Sequence, residues 1–291
     1  MSYVATQRVV RATTATIEWQ GIDQDGEPAD PGTVTIGVTR ADGAAVVAPG
    51  TATDVVGTVR RYTLPVSATA NLDRLTATWT VSGVAVGTTS VEVVGGVYAS
   101  VAQIRTVDPV VSNLVTDSTD VLKNARAAAE SLFETVTGVA WVPKFDVVRL
   151  DGTGRHELAL PWPQLRRVRW CRIYSTETTY DTLTADQLAA IPADDSGIAV
   201  RTDGYVWTAG TRNVEIAYEH GYDVPPADLR DALIQTVRAN ARQFDNGIDP
   251  RTTQVVMEGM TATIGASDDL TGNPAVDATL RRHSHKIPGI A

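Results

Sequence analysis

The sequence predicts a multidomain α+β protein with an N-terminal all-β sandwich, a helical domain that carries a β-sheet insertion, and an extended C-terminal arm. Residues 1–95 consist of short segments in which apolar and polar residues alternate, which is typical of strands. Residues 96–250 begin and end with apolar residues at helical spacing and have strand-like segments between them. Residues 251–291 carry only scattered apolar side chains. A length of 291 residues favours two domains over one or three.

Composition excludes several classes of protein. Hydrophobic residues make up 43% of the chain and charged residues 20%, which fits a folded protein with a real core and not a disordered one. The net charge of -9 opposes non-specific binding of nucleic acid. The single cysteine, Cys171, excludes an internal disulfide. Because no apolar run is long enough to span a bilayer, we expect a soluble protein with no membrane partner.

The N-terminal domain, residues 1–95, is predicted to be an antiparallel sandwich. Its strand-like segments include "TATIEWQ", "GTVTIGVTR", "VRRYTLPV", "LTATWTV" and "TTSVEVVG", separated by turn-rich stretches. Trp19 and Trp79 alternate with polar neighbours, so both are expected to face the core. The pattern resembles immunoglobulin-like domains that lack the disulfide.

The second domain, residues 96–250, is predicted from three helices at about 100–107, 119–137 and 226–245. Gly138 is expected to end the second helix in a left-handed conformation, and Pro226 suits the first position of the third. The second helix presents an apolar stripe of Val121, Leu122, Ala125, Ala129, Leu132, Phe133 and Val136. The third presents Leu229, Leu233, Val237, Ala241 and Phe244, and we expect the two stripes to pack together.

Residues 144–220 are predicted to be inserted strands, and one of them, "LRRVRWCRIY", is rich in arginine. Strict alternation places Arg167 and Arg169 on one face, and Arg166 and Arg172 on the other with Val168, Trp170 and Tyr174. Arginines beside aromatic residues can contact DNA in a channel or acidic residues of a neighbouring subunit. Acidic residues outnumber basic ones in this domain, which favours the subunit contact.

No group of residues has the pattern of a catalytic, cofactor-binding or metal-binding site, so we expect no enzyme and no cofactor. His283 and His285 have an H-x-H spacing, but they lie in a polar tail without other ligands, which favours solvated side chains. Cys171 has arginines nearby that would lower its pKa, yet a half-buried strand cysteine is the favoured interpretation.

Several segments in order resemble the head-to-tail connector proteins, or adaptors, of long-tailed bacteriophages. A helix ends in Thr137 and Gly138 before a strand that carries Trp141 and Pro143, and a "DGTG" hairpin leads to an edge with Leu160 and Pro161. The segment "YEHGYDVPPADLRDA" then opens the last main helix, through Tyr218, His220, Gly221, Tyr222, Val224, Pro225, Asp228, Leu229 and Ala232. The resemblance covers residues 97–250 and, loosely, the tail.

This resemblance implies a structural virion protein and no catalysis. It implies a ring, commonly a dodecamer, that lies below the portal, joins the head to the tail and continues the DNA channel. The implied partners are further copies of the chain, the portal protein, and a neck or tail terminator protein on the tail side, with genomic DNA passing transiently. The implied location is the neck of the virion, assembled in the host cytoplasm.

The C-terminal arm, residues 251–291, is expected to be extended, with room for one helical turn at "NPAVDATLRRH", and mobile until it docks on the portal or on the next subunit. The alternative interpretation is a frayed terminus with no role. Its candidate docking residues are the apolar pair Val276 and Leu280, the basic cluster Arg281, Arg282 and Lys286, and Ile287 near the end. Two other functions stay open. One is a surface- or carbohydrate-binding module on the sandwich with Trp19 or Tyr62 as platforms, and the other is a hydrolase, although no nucleophile–base pair is recognisable.

Overall fold

The architecture was determined from a computed structural model that describes residues 6–23, 25–106, 119–246, 254–257, 260–263 and 271–285. The class is mixed α+β, as predicted. The chain forms two compact units, of which the first comprises Met1–Gly96 and Val142–Asp223 and the second comprises Val97–Trp141 and Val224–Ala291. These units are discontinuous in sequence, whereas the predicted domain boundaries at residues 95 and 250 follow the order of the chain.

Residues 6–23 and 25–96 form a two-sheet sandwich. Its described strands are β1 (Thr6–Val10), β2 (Ala15–Gln20), β3 (Val34–Thr39), β4 (Ala45–Ala52), β5 (Asp54–Val56), β6 (Val59–Leu64), β7 (Asp73–Val81) and β8 (Val84–Val94). One sheet has the order β1-β8-β7-β3-β4 and the other has the order β2-β6-β5. All neighbours are antiparallel except β1 and β8, which run parallel. A parallel pair is possible here because these two strands are distant in sequence and need no tight connection.

The sandwich core is apolar and follows the predicted alternation. Ile36 and Trp79 are fully buried, and β3 alternates strictly between buried and half-buried positions. Trp19 is half-buried and stacks on Trp79 with the ring centroids 6.3 Å apart. Burial of each large apolar side chain contributes about 1.5–3 kcal/mol, so this core stabilises the sandwich without a disulfide.

The inserted segment adds a second sheet to the first unit. Its strands are β9 (Lys144–Gly152), β10 (Glu157–Ala159), β11 (Leu165–Tyr174), β12 (Tyr180–Thr182), β13 (Ile198–Val200) and β14 (Gly210–His220), with a short helix α3 (Ala185–Ala189). Four of them form a sheet of order β12-β11-β14-β9, and β10 pairs with β13. Residues of β10, β13 and α3 cover one face of the large sheet, around the buried Cys171, Trp207 and Ile216.

The other face of the inserted sheet receives the base of the sandwich. Leu72, Phe145 and Ala217 form a small buried cluster there. Beside it, Glu92 accepts hydrogen bonds from Arg8 Nε at 2.9 Å and Lys144 Nζ at 2.7 Å. We call this contact the basal joint and define it by Arg8, Leu72, Glu92, Lys144, Phe145 and Ala217. It makes the sandwich and the inserted sheet one compact unit.

The second unit is helical. Its described elements are α1 (Val101–Thr106), α2 (Thr119–Thr137), α4 (Ala227–Asn246), a hairpin of β15 (Gln254–Met257) and β16 (Met260–Thr263), and α5 (Pro274–Arg282). Helices α1, α2 and α4 lie close to the predicted positions, and α2 packs on α4 as expected. Gly138 ends α2 with φ of +67°, and its N–H donates to the Glu134 carbonyl at 2.8 Å.

The apolar stripe of α2 is confirmed at its centre and wrong at its start. Leu122 and Phe133 are fully buried, whereas Val121 is 40% exposed. The reason is geometric, because Val121 directly precedes Leu122 and adjacent residues on a helix point about 100° apart. In the parts of the chain that the structure describes, no helix has the length and apolar character needed to cross a membrane.

The prediction of an extended C-terminal arm is wrong for the described residues of 251–291. They form the β15–β16 hairpin and the nine-residue helix α5, whose N-cap is Asn273. Val276 and Leu280 are four residues apart, so on a helix they share one face, and this face is buried against α4 and α2. The apolar pair is therefore covered by the chain's own helices.

Candidate interaction surface

Two β-bulges determine where the arginines of β11 point. The register between β11 and β14 shifts between Leu165 and Arg167 and again between Val168 and Trp170. Each bulge inserts one extra residue, so the alternation of faces is interrupted twice. As a result Arg167, Arg169 and Arg172 lie on one face, the face that also receives the base of the sandwich.

The predicted split of the arginines is therefore wrong in part. Arg167 and Arg169 share a face as expected, but Arg172 shares it with them. Val168 packs in the opposite core with Cys171, whereas Trp170 packs towards the basal joint. Simple alternation fails because the bulges are not visible in the pattern of apolar residues.

Glu219 on β14 holds two of these arginines. Its Oε1 accepts hydrogen bonds from Arg167 Nη2 and Arg169 Nη1, both at 2.7 Å. Burial alone would raise the pKa of Glu219, but the hydrogen bonds and charges of Arg167 and Arg169 outweigh burial and lower that pKa. The carboxylate is therefore ionised at neutral pH, and it fixes both guanidinium groups.

Aromatic rings continue the surface beyond Glu219. The guanidinium of Arg172 lies 4.5 Å from the Trp170 ring centroid and 4.9 Å from that of Tyr180. The guanidinium of Arg149 on β9 lies 4.0 Å from the Tyr174 ring centroid. Cation–π contacts of this kind contribute about 0.5–1 kcal/mol each at exposed sites.

Glu215 connects these groups at the centre of the sheet. It accepts hydrogen bonds from Tyr174 Oη at 2.9 Å and from Arg172 Nη1 at 3.3 Å. We call the whole surface the arginine face, and it comprises Arg149, Arg167, Arg169, Trp170, Arg172, Tyr174, Tyr180, Glu215 and Glu219.

The arginine face is accessible and positive. The side chain of Arg167 is 58% exposed and that of Arg172 is 26% exposed, while Glu219 is only 8% exposed. Four arginines oppose two glutamates, which is a local excess of positive charge in a chain of net charge -9. Guanidinium groups beside aromatic rings suit carboxylate or phosphate groups accompanied by apolar side chains.

The remaining candidate residues lie elsewhere. Arg166 pairs with Asp223 at 2.8 Å. On α5, Arg281 is exposed, and Arg282 Nη1 lies 3.3 Å from Asp228 Oδ2. Lys286 and Ile287 lie outside the described residues. The docking group predicted for the arm is therefore divided. Val276 and Leu280 are buried inside the protein, whereas Arg281 and Arg282 are exposed.

The side chains of Cys171 and His220, which could act as a nucleophile and a base, are both buried and held in their neutral forms. Burial raises the pKa of the Cys171 thiol to about 12, against the opposing charge of Arg201. Burial lowers the pKa of His220 to about 3, helped by the charge of Lys144. At neutral pH the structure therefore holds a neutral thiol and a neutral imidazole.

His283, considered in the sequence as a metal ligand, bonds through Nε2 to Asp228 Oδ2 at 2.9 Å. Over the described ranges, no three potential ligand residues are grouped to hold a metal ion.

The aromatic platforms considered for carbohydrate binding are parts of the sandwich core. Trp19 and Tyr62 both pack against the buried cluster that contains Ile17 and Trp79. Stacking of a sugar ring requires an open aromatic face, and Trp19 already stacks on Trp79. Packing against this cluster therefore reduces the area that Trp19 and Tyr62 can offer to a sugar.

Sequence reasoning missed several members of the arginine face. Arg149, Tyr180, Glu215 and Glu219 belong to three strands other than β11, and only the pairing of those strands brings them beside it. A usable signal was present in "NVEIAYEH", where Glu215 and Glu219 alternate with apolar residues. Acidic residues at alternate positions of one strand are natural partners for arginines at alternate positions of another.

Comparisons with known proteins find distant structural likenesses. No protein-family model matches the chain, and no curated protein matches it. Similar solved structures include the neck of an empty gene transfer agent (GTA) particle computed with C6 symmetry, with 16% identity and a TM-score of 0.46, covering 66% of this chain and 93% of the other. A chain from the virion of a native GTA particle has 16% identity and a TM-score of 0.44, with coverages of 66% and 93%. A chain from the neck of a native GTA particle computed with C12 symmetry has 17% identity and a TM-score of 0.42, with coverages of 66% and 92%.

Proposed function

We propose that this protein is a structural component of the neck of a phage-like virion. In this proposal, copies of the chain form a ring, commonly of twelve, that lies below the portal and continues the DNA channel. The ring joins the head to a neck or tail terminator protein on the tail side, and the N-terminal sandwich is an added immunoglobulin-like domain. The chain carries out no chemical step, and its particle is assembled in the host cytoplasm.

The observation that carries the proposal is the ordered series of motifs over residues 97–250, which resembles the adaptors of long-tailed phages. The local structures that these motifs require are present. Gly138 ends α2 in a left-handed conformation, and Gly221, with φ of +96°, directly follows β14 and lies six residues before α4 begins at Ala227. The apolar residues of α2 and α4 are used for packing, as a scaffold requires.

The arginine face supports a protein contact in preference to a DNA contact. Arg167 and Arg169 both bind the buried carboxylate of Glu219, which offsets part of their charge and so weakens a contact that depends on charge alone, as one with phosphate does. A ring of chains that each carry a net charge of -9 would also repel DNA. In this proposal DNA passes through the channel without being held.

Particle assembly in the source phage, with this gene interrupted, tests the proposal. Filled heads and free tails should accumulate separately, and the intact gene supplied in trans should restore joined particles. Negative-stain images of the purified protein, with and without its portal protein, should show rings that stack on the portal. Normal yields of joined particles without the gene would contradict the proposal.

A further inference from the structure

The sandwich has an exposed end that lies opposite the basal joint. Strand β7 starts at the joint, directly after Leu72, and runs to Val81, which pairs with Val34 and Val84. Arg60 joins the neighbouring loops by donating to the carbonyls of Gly32 and Gly57. The β7–β8 turn, the β5–β6 turn and the described residues of the loop 21–33 therefore lie together at this end.

This end combines exposed apolar side chains with carboxylates, and we call it the acidic tip. Ile22 is 69% exposed, Val55 is 64% exposed and Val84 is 66% exposed, and all three belong to the turns and strand ends at this end of the sandwich. Around them lie the exposed carboxylates of Asp23, Asp25, Glu27, Asp30 and Asp54. Arg60 pairs with Asp30, so four of the five acidic residues keep a negative charge that Arg60 does not offset.

The acidic tip and the arginine face are complementary in charge and in type of side chain. The tip offers carboxylates beside valine and isoleucine, and the face offers guanidinium groups beside tyrosine and tryptophan. Arginine–carboxylate pairs and aromatic–aliphatic contacts are the usual components of protein interfaces.

A tip cannot reach the arginine face of its own chain. The nine residues of β7 separate the basal joint from the tip, which is roughly 25 Å at about 3.3 Å per residue. The base of the sandwich is fixed beside the arginine face by the buried Glu92 and the apolar cluster around Phe145. The complementary partner for each surface is therefore on another molecule.

We propose that the acidic tip of one copy docks on the arginine face of the next copy. This inference rests on the proposed ring, and it assigns one of the contacts between its subunits. The two surfaces differ, so the contact is head-to-tail, and such contacts close into a ring when the rotation between copies allows it.

A charge-exchange experiment with full-length protein tests this contact. One variant carries Asp25→Lys and Glu27→Lys on the tip, and the other carries Arg149→Glu and Arg167→Glu on the face. Each variant alone places like charges at every contact, so self-association measured by sedimentation velocity should weaken at least tenfold. An equal mixture should associate again, because each reversed surface then meets its opposite.

A control variant, Glu157→Lys with Asp186→Lys, makes the same change in net charge as the tip variant, but at exposed positions outside both surfaces. It should associate as the original chain does. Circular dichroism melts confirm that every variant is folded. Three results would each overturn the proposed contact and leave the neck function standing. They are self-association unchanged in either variant, an equal loss of self-association in the control, and a mixture that stays dissociated. An original chain that stays monomeric at all concentrations would overturn both.

Discussion

The sandwich at the N-terminus and helix α5 near the C-terminus are attached to the rest of their units by different kinds of contact. The sandwich is held by the basal joint, where the carboxylate of Glu92 is 9% exposed between Arg8 and Lys144. Helix α5 is held by Val276 and Leu280, and its ion pairs converge on Asp228, whose side chain is 40% exposed.

This difference separates two roles for charge in the same chain. A buried carboxylate between two cations has no water to replace a lost partner, so removing one charge deletes an attraction that solvent does not restore. An exposed carboxylate exchanges its partners with water and loses little. The basal joint should therefore depend on its ions, whereas the attachment of α5 should depend on its apolar residues.

The largest effect is expected from Glu92→Gln in the basal joint. The substitution keeps the shape but leaves Lys144 and Arg8 without the carboxylate, which should cost about 3–5 kcal/mol of unfolding free energy. Urea denaturation measures this loss. The matched control is Glu18→Gln, which removes an exposed ion pair with Arg61 and should cost less than 1 kcal/mol. Equal small losses in both variants would show that the joint does not depend on its ions.

Acid should remove the difference in unfolding free energy between the original chain and the Glu92→Gln variant. Burial alone would raise the pKa of Glu92, but the charges of Lys144, Arg8 and Arg74 outweigh it, so the folded-state pKa lies below the ordinary 4.5. A lowered carboxyl pKa stabilises the fold above the unfolded value, and this stability is lost as pH falls through the folded value. Urea titrations from pH 7 to pH 3 should show that the difference in unfolding free energy between the two proteins becomes smaller only below a pH of about 4.5. A gap that stays constant down to pH 3 would assign the effect to packing.

Leu280→Ala should weaken the attachment of α5 by about 2–3 kcal/mol, because this side chain is fully buried. The expected result is faster hydrogen exchange in residues 271–285 and earlier proteolysis there. Arg281→Ala, on an exposed position of the same helix, is the control and should leave both unchanged. Unchanged exchange in Leu280→Ala would mean that α5 is held by other contacts.

The smallest effect is expected from Asp228→Asn, which removes the charge that His283 and Arg282 share. The hydrogen bond from His283 is the main cause of the lowered pKa of Asp228, but the site is exposed and screened by solvent. The loss of unfolding free energy should stay below about 1 kcal/mol. A loss above 2 kcal/mol would show that the exposed pairs, and not Leu280, hold the helix.

Local patterns in the sequence predicted the elements well. Helix α2 was placed at 119–137 because its apolar spacing and the glycine at 138 are both local signals, and the structure has the same bounds. Val276 and Leu280 were identified as an apolar pair for the same reason. Spacing shows that a helix has an apolar face and does not show what covers it, so the predicted partner of this pair was wrong.

The local spacing of apolar and polar residues did not predict contacts between residues that are far apart in sequence. Glu92 and Lys144 are far apart in sequence, and neither lies in a stretch that predicts a buried ion pair. The faces of β11 depend on two bulges that the pairing with β14 creates. The composition of the arginine face is therefore a property of the assembled sheet, and the sequence alone indicated only that arginines and aromatics alternate along one strand.

The discontinuity of the second unit has a consequence for the order of folding during synthesis. Helix α2 ends at Thr137, and its packing partner α4 begins at Ala227, about 90 residues later. At translation rates of about 5–20 residues per second, the ribosome needs roughly 5–18 s to supply that partner. Throughout this time the apolar stripe around Leu122 and Phe133 is made but not covered by α4.

The strands of the first unit, in contrast, are complete before α4 leaves the ribosome. The inserted sheet therefore has all of its strands available for folding before the partner of α2 has been synthesised. On the nascent chain, α2 is the segment that is synthesised early and buried late, and its apolar face is the natural target for a chaperone that protects the growing protein.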